Sequence, residues 1–217
     1  MMLLSKFIDA ALLSPTSTPA EVKKLCAEAK KHGFYGVDAL PCYAPIIKKE
    51  IAGSKIKQIA VVGYPLGLNT TSDKAFETKE ALANGADELD MVMNLGYFKA
   101  KQYGKVTQDI KAVVKAAKGH KVKVIIETGY LTDAEIIKAS KLVKQSGAHF
   151  VKTCTGYGPR GVTVKDVKLI KKAVGKFNIK ASGGIRTAKQ AISLIKAGAT
   201  RIGTSAGAKI VGQLHNL

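Results

Sequence analysis

The sequence has few aromatic residues: it contains no Trp, and aromatic residues make up only 6% of the chain. Its core must therefore be built mainly from Ala, Val, Ile and Leu. Hydrophobic residues still make up 46% and charged residues 24%, which excludes a disordered or fibrous chain. The 217 residues are enough to bury a substantial core, and no low-complexity linker divides them. We therefore predict one domain over residues 1–217.

Arginine is also scarce. The 35 Lys and Arg residues outnumber the 16 Asp and Glu residues and give a formal net charge of +19, but only Arg160, Arg186 and Arg201 are Arg. A protein that reads DNA sequence prefers Arg, because the planar guanidinium makes paired contacts with bases and phosphates. The lysines are instead spread along helical patterns beside apolar residues, as on solvated helix faces. We therefore predict no specific nucleic-acid partner and keep a basic nucleic-acid-binding protein as an alternative. The positive field should attract anionic substrates.

Cysteine and histidine are too few and too scattered for a structural metal or disulfide framework. The three Cys form no Cys-x-x-Cys pair, and the four His show no metal-ligand spacing, so we predict no metal site. No stretch of about 18 uncharged apolar residues occurs, so we expect no transmembrane helix and no membrane partner. Lys6 and Asp9 interrupt the first apolar run, which makes it a poor signal peptide. A cytoplasmic location is the resulting prediction.

A short motif recurs along the chain: a helical pattern, then Gly, then an apolar run. Gly33, Gly85, Gly147 and Gly198 occupy the glycine position, which fits the left-handed residue that ends many helices. Apolar runs of this kind predict eight buried strands. The predicted strands are 6–9, 34–39, 57–63, 87–93, 121–127, 148–153, 177–181 and 199–204. The predicted helices are 20–32, 44–53, 73–84, 103–118, 132–146, 163–174, 187–197 and 206–212.

The strict alternation of strands and helices predicts an α/β fold with a parallel sheet and helical crossovers. Eight units in 217 residues leave about 27 residues per unit, which is compact but sufficient for a closed (β/α)8 TIM barrel. A single barrel of this kind is our prediction. A doubly wound open sheet is the alternative that the same pattern allows.

Charged residues occupy alternate positions of several predicted strands. In a barrel one parity faces the interior, and here it carries a set of charges. The predicted inward charges are Asp9, Asp90, Lys123, Glu127, Lys152 and Lys180. A structural network of ion pairs would explain any one of them. As a set they favour a catalytic site, because several lie late in their strands and barrel active sites lie at the strand C-terminal ends.

Glycine-rich segments follow the last three predicted strands. Ser182-Gly183-Gly184-Ile185-Arg186-Thr187 opens one helix, and Gly203-Thr204-Ser205-Ala206-Gly207 opens another. Loops after strands seven and eight commonly bind phosphate in this fold, because glycine permits close approach of backbone amides. Thr155-Gly156-Tyr157-Gly158 could supply further amides. Ordinary tight turns are the alternative explanation.

Five strings spread over nearly the whole chain carry a more specific signal, with weaker matches in the GYPLG and PCYAP segments. They are ADELDMVMNLG, KVKVIIETGYLTD, HFVKTCTGYG, VKASGGIRT and GATRIGTSAG. In order and spacing the chain resembles the deoxyribose-phosphate aldolases, a family of class I, Schiff-base-forming aldolases. The resemblance implies reversible cleavage of 2-deoxy-D-ribose 5-phosphate to D-glyceraldehyde 3-phosphate and acetaldehyde. It also implies no metal, no organic cofactor, and a homodimer or homotetramer.

The resemblance assigns a role to each matching position. Lys152 matches the Schiff-base lysine, Lys180 the second active-site lysine and Asp90 the proton-relay aspartate. Further substrate-binding positions match Asp9, Lys123, Thr155, Gly156, Gly183, Gly184, Arg186, Gly203 and Ser205. The chemistry fits, because an attacking amine must be neutral although a free Lys has a pKa of about 10.4. A neighbouring ammonium on Lys180 and partial desolvation would favour the neutral form of Lys152.

The chain departs from the family pattern at several positions. Ala10-Ala11 replaces His-Thr after the first aspartate, and Asp38 and Leu40 replace Cys and Asn at the second strand end. Ala206 replaces a second serine, and the tail His215-Asn216-Leu217 lacks a terminal Tyr. A related Schiff-base aldolase with altered sugar-phosphate specificity is therefore the alternative within the same class.

Overall fold

Eight parallel strands close into a barrel in the computed structural model, which describes residues 4–213. Each strand pairs with the next, and β1 pairs with β8. The strands are β1 Ile8–Leu12, β2 Gly36–Ala39, β3 Lys57–Val62, β4 Glu88–Val92, β5 Lys121–Ile125, β6 Phe150–Lys152, β7 Asn178–Ser182 and β8 Arg201–Thr204. This confirms the predicted (β/α)8 barrel and excludes the open sheet, since an open sheet would leave β1 and β8 unpaired.

Helices cover the outside of the barrel. The α-helices are α1 Pro19–His32, α2 Ala44–Glu50, α3 Thr71–Ala83, α4 Leu95–Lys99, α5 Tyr103–Ala116, α6 Asp133–Gln145, α7 Val164–Val174, α8 Ala188–Lys196 and α9 Gly207–Gly212. Single 3-10 turns occupy Leu4–Phe7, Pro41–Tyr43 and Thr128–Tyr130. Within residues 4–213 no helix is long and apolar enough to cross a membrane.

The predicted helix ends have a clear local cause. Thr18 and Thr132 begin α1 and α6 with reciprocal capping boxes, in which the third helical residue, Glu21 or Glu135, bonds back to the cap. Gly33 ends α1 at φ 64° and ψ 43°, and its N–H donates to the carbonyls of Ala29 and Lys30. A residue with a side chain is disfavoured in this left-handed conformation, so Gly33 fits the observed turn from α1 toward β2.

Several element boundaries differ from the sequence prediction. The first strand is Ile8–Leu12 rather than 6–9, because Leu4–Phe7 forms a 3-10 turn and pairing with β2 continues to Leu12. The fifth strand ends at Ile125 rather than 127. A short helix, α4, was not predicted. It starts where the Asn94 side chain accepts the N–H of Tyr97, and it contains a glycine that weakens its helical pattern.

Alternate residues of each strand divide the interior into two regions. Outward residues such as Val37, Leu89 and Val124 pack with the apolar faces of the helices and form the main hydrophobic core. Inward residues include the charged side chains of Asp9, Asp90, Lys123, Lys152 and Lys180, all buried. The apolar shell therefore supports the barrel from outside, while its interior holds a buried charge cluster.

Candidate active site

A cavity of about 330 Å³ opens at the C-terminal ends of the strands. The loops after β1, β6, β7 and β8 form its wall, and the inward side chains of β2 and β6 form part of its floor. Its lining includes Ala11, Ser14, Asp38, Tyr64, Lys152, Thr155, Gly156, Tyr157, Ser182, Gly183, Gly184, Arg186, Gly203 and Ser205. The cavity lies where active sites of this fold are found.

Lys152 and Lys180 lie on adjacent strands and are direct partners in the β6–β7 register. Both side chains point to the barrel interior and are buried. Asp90 Oδ2 lies 2.5 Å from Lys152 Nζ and 2.7 Å from Lys180 Nζ, so one carboxylate oxygen joins the two ammonium groups. Only Lys152 of these three residues lines the cavity. The arrangement presents one amine to a bound molecule and holds a second directly beneath it.

Lys180 is surrounded by carboxylates. Its Nζ lies 2.7 Å from Asp9 Oδ2 and 3.1 Å from Asp38 Oδ2, in addition to its contact with Asp90. Burial disfavours its charged form, but the attraction of Asp9, Asp90 and Asp38 outweighs burial and raises the pKa of Lys180 well above its usual range. Lys180 is therefore a permanent ammonium next to Lys152.

Asp90 is a permanent carboxylate for the opposite reason. Burial acts to raise its pKa, but Lys123, Lys152 and Lys180 together hold that pKa well below the usual range. Lys123 Nζ lies 2.7 Å from Asp90 Oδ1 and 2.9 Å from Glu88 Oε2, which links Asp90 to the lower part of the barrel. The charges are thus arranged in alternating sign through the interior.

Glu88 and Arg201 complete the lower layer and were not predicted as site residues. Arg201 Nη1 lies 3.0 Å from Asp9 Oδ1 and 3.3 Å from Glu88 Oε2, and its guanidinium stacks 3.3 Å above the Tyr35 ring. Strand parity alone would have found both, since Glu88 shares the face of Asp90 and Arg201 that of Gly203. We name the eight interior residues the central cluster: Asp9, Asp38, Glu88, Asp90, Lys123, Lys152, Lys180 and Arg201.

Seven of the predicted substrate-binding residues line the cavity, and two do not. Those that line it are Thr155, Gly156, Gly183, Gly184, Arg186, Gly203 and Ser205. Asp9 and Lys123 are fully buried beneath its floor and face other charges of the central cluster. Any influence of these two residues on a bound molecule must therefore pass through Lys180 and Asp90.

Gly203 is tied to Lys180 as well as to the cavity wall. A Cβ at position 203 would lie 2.9 Å from Lys180 Cε, closer than real Cβ contacts allow, and 3.0 Å from Ser182 Cβ, a tight contact. Glycine at this point of β8 therefore leaves the space that the Lys180 side chain occupies. The sequence pattern by itself predicts only a phosphate-binding loop for the same glycine.

Glu127 does not belong to the inward face of β5 as predicted. The chain leaves the strand after Ile125 and turns at Glu127, where φ is 50° and ψ is 70°. The Glu127 carboxylate accepts the Thr155 N–H at 2.9 Å and the Thr155 hydroxyl. Tyr64 donates its hydroxyl to the Thr155 carbonyl at 2.8 Å. Glu127 and Tyr64 therefore fix the loop after β6, a role that strand periodicity could not reveal.

The described part of the chain contains no group of three or more His, Cys, Asp or Glu arranged to hold a metal ion. The carboxylates of the central cluster face ammonium and guanidinium groups instead. Among the positions that depart from the family pattern, Ala11 and Asp38 line the cavity, while Ala10 packs in the outer core. The tail His215-Asn216-Leu217 lies outside the described residues.

Comparisons with known proteins agree with this geometry. The family model described as DeoC/LacD family aldolase matches residues 9–212. Proteins named deoxyribose-phosphate aldolase from Bdellovibrio bacteriovorus and Clostridium tetani are each 51% identical to this chain. The first match covers 97% of this chain and 96% of that protein, and the second covers 97% and 98%.

Solved structures show the same likeness. The structure described as "QR15, an Aldolase" shares 40% identity, covers 100% of this chain and 97% of its own, and has a TM-score of 0.95. A deoxyribose phosphate aldolase from Aeropyrum pernix, described as tetrameric, shares 32% identity with a TM-score of 0.91, covering 98% of this chain and 91% of its own. These comparisons give no support to the nucleic-acid alternative. The chain belongs to the DeoC/LacD family of aldolases.

Proposed function

We propose that this aldolase reversibly cleaves 2-deoxy-D-ribose 5-phosphate to D-glyceraldehyde 3-phosphate and acetaldehyde through a Schiff base on Lys152. The observation that carries the proposal is the position of Lys152. Its amine lies on the floor of the cavity, joined through Asp90 to the permanent ammonium of Lys180. The relatives named for this activity at about half identity support the choice of substrate.

The loops after β7 and β8 supply the site for the phosphate. Gly183 and Gly184 have φ of 98° and 75°, a conformation that favours glycine, and both line the cavity without side chains. Arg186 and Ser205 lie on the same wall and offer a guanidinium and a hydroxyl. Backbone amides and Arg are well suited to bind phosphate oxygens. Binding the phosphate at this wall would fix the sugar, so that its aldehyde reaches the floor.

Lys152 supplies the electron sink. Its amine adds to the aldehyde carbon, and loss of water gives a protonated imine. Cleavage of the bond between C2 and C3 sends its electron pair into that imine, while the C3 hydroxyl loses its proton and becomes the aldehyde of glyceraldehyde 3-phosphate. Protonation of C2 and hydrolysis then release acetaldehyde and the free lysine. A protonated imine accepts this electron pair far better than a neutral aldehyde.

Lys180 and Asp90 control the protonation of the Lys152 nitrogen and of the bound carbons. The ammonium of Lys180 disfavours a second positive charge nearby and so favours a neutral Lys152 for attack. Asp90 keeps the ammonium in place and, through water, can carry protons to and from the bound carbons. Asp9 and Lys123 are positioning residues in this proposal, because they reach the substrate only through Lys180 and Asp90.

Borohydride trapping tests the Schiff base directly. Acetaldehyde and borohydride should add one ethyl group per chain to the wild-type protein, and Lys152→Ala should abolish the label. Lys111→Ala, at an exposed lysine of α5, is the matched control and should keep it. A full label in Lys152→Ala, found by peptide mass mapping at another lysine, would overturn the assignment.

A second candidate is a Schiff-base aldolase for a different sugar phosphate. Asp38 favours it, because the residue brings a carboxylate to the cavity lining where the family pattern has Cys. Assays of aldehyde release from deoxyribose 5-phosphate beside other sugar phosphates, at matched concentrations, separate the two candidates. The first is supported if deoxyribose 5-phosphate gives the highest kcat/KM.

Assembly and location stay predictions. The tetrameric description of the Aeropyrum pernix protein supports an oligomer of this chain, and we propose a homodimer or homotetramer. Sedimentation at several concentrations would determine the number of subunits. The absence of a metal or organic cofactor and a cytoplasmic location likewise stay predictions.

A further inference from the structure

Asp38 is a buried carboxylate for which the proposed reaction has so far no task. It lies in β2, lines the cavity, and places Oδ2 3.1 Å from Lys180 Nζ and 3.5 Å from Lys152 Nζ. Among residues 4–213 its other oxygen, Oδ1, is buried without a hydrogen-bond partner. Buried polar atoms are nearly always hydrogen-bonded, and an exception calls for a reason. An unpartnered oxygen on a cavity-lining carboxyl suits a group that binds and releases a proton.

The charge balance of the central cluster requires such a group. The cluster holds four cationic side chains and four carboxylates in mutual contact, so it is neutral when all eight are ionised. Lys152 must lose its proton before its amine can attack a carbonyl. If that proton left the cluster, one uncompensated negative charge would stay buried, and such charges are strongly unfavourable. The proton is therefore best kept on a carboxylate of the cluster.

Asp38 is better suited to take the proton than Asp90 or Glu88. Asp90 contacts three ammonium groups, which overcome burial and hold its pKa well below the usual range. Burial acts to raise the pKa of Glu88, but Lys123 and the Tyr35 hydroxyl outweigh it and lower that pKa to about 2. For Asp38, burial dominates and raises the pKa, because Lys180 and Lys152 offset it only in part. Asp38 is also the carboxylate of the cluster that lines the cavity.

We propose that Asp38 is a catalytic acid–base group that exchanges one proton with Lys152 and the bound aldehyde, an inference that rests on the proposed Schiff-base function. The Lys152 ammonium gives a proton to Asp38 and becomes a neutral amine. The amine adds to the aldehyde carbon, and one proton passes from its nitrogen to the former carbonyl oxygen, which gives a neutral carbinolamine. Asp38 then returns the proton to the carbinolamine hydroxyl, which leaves as water, and the product is a protonated imine beside an ionised carboxylate. The cluster is neutral before and after this step, and no oxidant or other co-reactant is needed.

Several charged or titratable groups face Asp38 and set the sign of its effect. They are Lys152 of β6, Lys180 of β7, Asp90 of β4, Lys123 of β5 and Tyr64 after β3. With Asp38 replaced by a neutral residue, the neutral amine of Lys152 becomes the balanced state, and the protonated imine becomes one positive charge in excess. The imine should then lose its proton at lower pH, and the electron sink should fail earlier as pH rises.

A charge mimic tests which carboxyl takes the proton without relying on activity. Lys152→Met removes the positive charge as deprotonation would, so one carboxyl of the cluster must become protonated. The infrared spectrum of Lys152→Met near neutral pH should show a new carbonyl band of a buried carboxylic acid. The band should move to a different frequency in Lys152→Met with Asp38→Glu, because the protonated group itself is then changed, and the control Lys111→Met should never show it. A missing band in Lys152→Met, or a band whose frequency is the same with Asp and with Glu at position 38, would overturn the proposal.

Kinetics with Asp38→Asn test the same step in the working enzyme. Cleavage near neutral pH should fall about 100-fold, and the alkaline limb of its pH profile should move about one to three units lower. Acetaldehyde should still label Lys152. A pH profile of unchanged shape would show a packing role only and refute the assignment. Asp38→Ser serves as a second replacement if Asp38→Asn does not fold. Failure of the wild-type protein to form any acetaldehyde adduct would instead refute the proposed function itself.

Discussion

Two regions of this protein bury lysine ammonium groups, and they do so in different ways. Outside the barrel, Lys74 of α3 is fully buried, with Nζ 2.6 Å from Asp109 Oδ2 of α5 and 3.1 Å from the Val92 carbonyl. The other Asp109 oxygen accepts the Thr71 hydroxyl at 3.0 Å. We call Lys74 and Asp109 the outer pair. Inside the barrel, Lys152 and Lys180 instead share one oxygen of Asp90.

The difference lies in how the partners are distributed. Each charge of the outer pair has its own partner, neither residue lines the active-site cavity, and the pair ties α3 to α5. In the central cluster one carboxylate serves several ammonium groups, one lysine reaches the cavity, and one carboxylate oxygen of Asp38 has no partner in the described chain. A buried lysine is therefore not by itself a mark of catalysis. Shared partners together with an opening to a cavity distinguish Lys152, the lysine on which the proposed reaction depends.

Removing the ammonium of Lys180 should have the largest effect on activity. Lys180→Met leaves Lys152 without its cationic neighbour, so the neutral amine is no longer favoured. We expect kcat/KM for deoxyribose 5-phosphate to fall by about 10²- to 10⁴-fold. Lowering the assay temperature should not restore it, because the loss is chemical. An activity within a few fold of wild type would show that the central cluster is structural, like the outer pair.

Removing the ammonium of Lys74 should lower the stability of the protein and leave its activity nearly unchanged. Lys74→Met leaves Asp109 buried without its counter-charge, and breaking such a pair costs about 3–5 kcal/mol of unfolding free energy. Chemical denaturation should report this loss, while kcat/KM at a temperature where the variant is folded should stay within a few fold of wild type. A variant that is folded but inactive would contradict the purely structural role of the outer pair.

The double variant Lys74→Met with Asp109→Leu supplies the control for that result. Apolar side chains of similar volume often replace a buried ion pair without net loss. Most of the lost stability should therefore return. If the double variant is no more stable than Lys74→Met, packing rather than the unpaired charge explains the single variant.

The sequence predicted the fold well because each barrel unit repeats the same local signals. Gly33 ends α1, capping threonines begin the helices, and the alternation of inward and outward residues placed Asp90, Lys123, Lys152 and Lys180 correctly. These features depend on neighbouring residues along the chain, so periodicity can reveal them. The ends of β1 and β5 depend on pairing across strands, and no local pattern marked them.

Contacts between side chains that are far apart in sequence could not be predicted, because no local pattern marks them. Lys74 and Asp109 are 35 positions apart on two helices, and nothing in either helical pattern shows that they meet. Arg201 meets Asp9 across 192 positions of sequence, because closure of the barrel brings β8 beside β1. Asp38 was noted only as a departure from a family pattern. The proposed proton exchange by Asp38 can be inferred only from its contacts with Lys152 and Lys180.

Acid titration tests whether Glu88 acts in the central cluster through its charge. Its pKa falls from 4.5 to about 2 in the folded protein, because Lys123 and the Tyr35 hydroxyl outweigh burial. Its contribution of roughly 3 kcal/mol is therefore present above pH 4.5 and is lost as pH falls toward 2. Urea unfolding should show the stability difference between wild type and Glu88→Gln shrinking over that range. A difference that is constant with pH would contradict the ionic role of Glu88.

The smallest expected effect concerns the space around Lys180 rather than its charge. In Gly203→Ala the new Cβ would lie 2.9 Å from Lys180 Cε, and the flexible side chain must move by a few tenths of an ångström. Because Lys180 Nζ contacts Asp9, Asp38 and Asp90, that movement disturbs catalytic geometry more than packing. We expect kcat to fall about tenfold with a change in unfolding free energy below about 1 kcal/mol. Gly104→Ala is the matched control, since position 104 does not have the left-handed backbone that favours glycine and a Cβ there meets nothing within 4 Å; it should leave kcat unchanged. An unchanged kcat in Gly203→Ala would mean that Lys180 tolerates displacement, and the cluster would then resemble the outer pair in depending on charge alone.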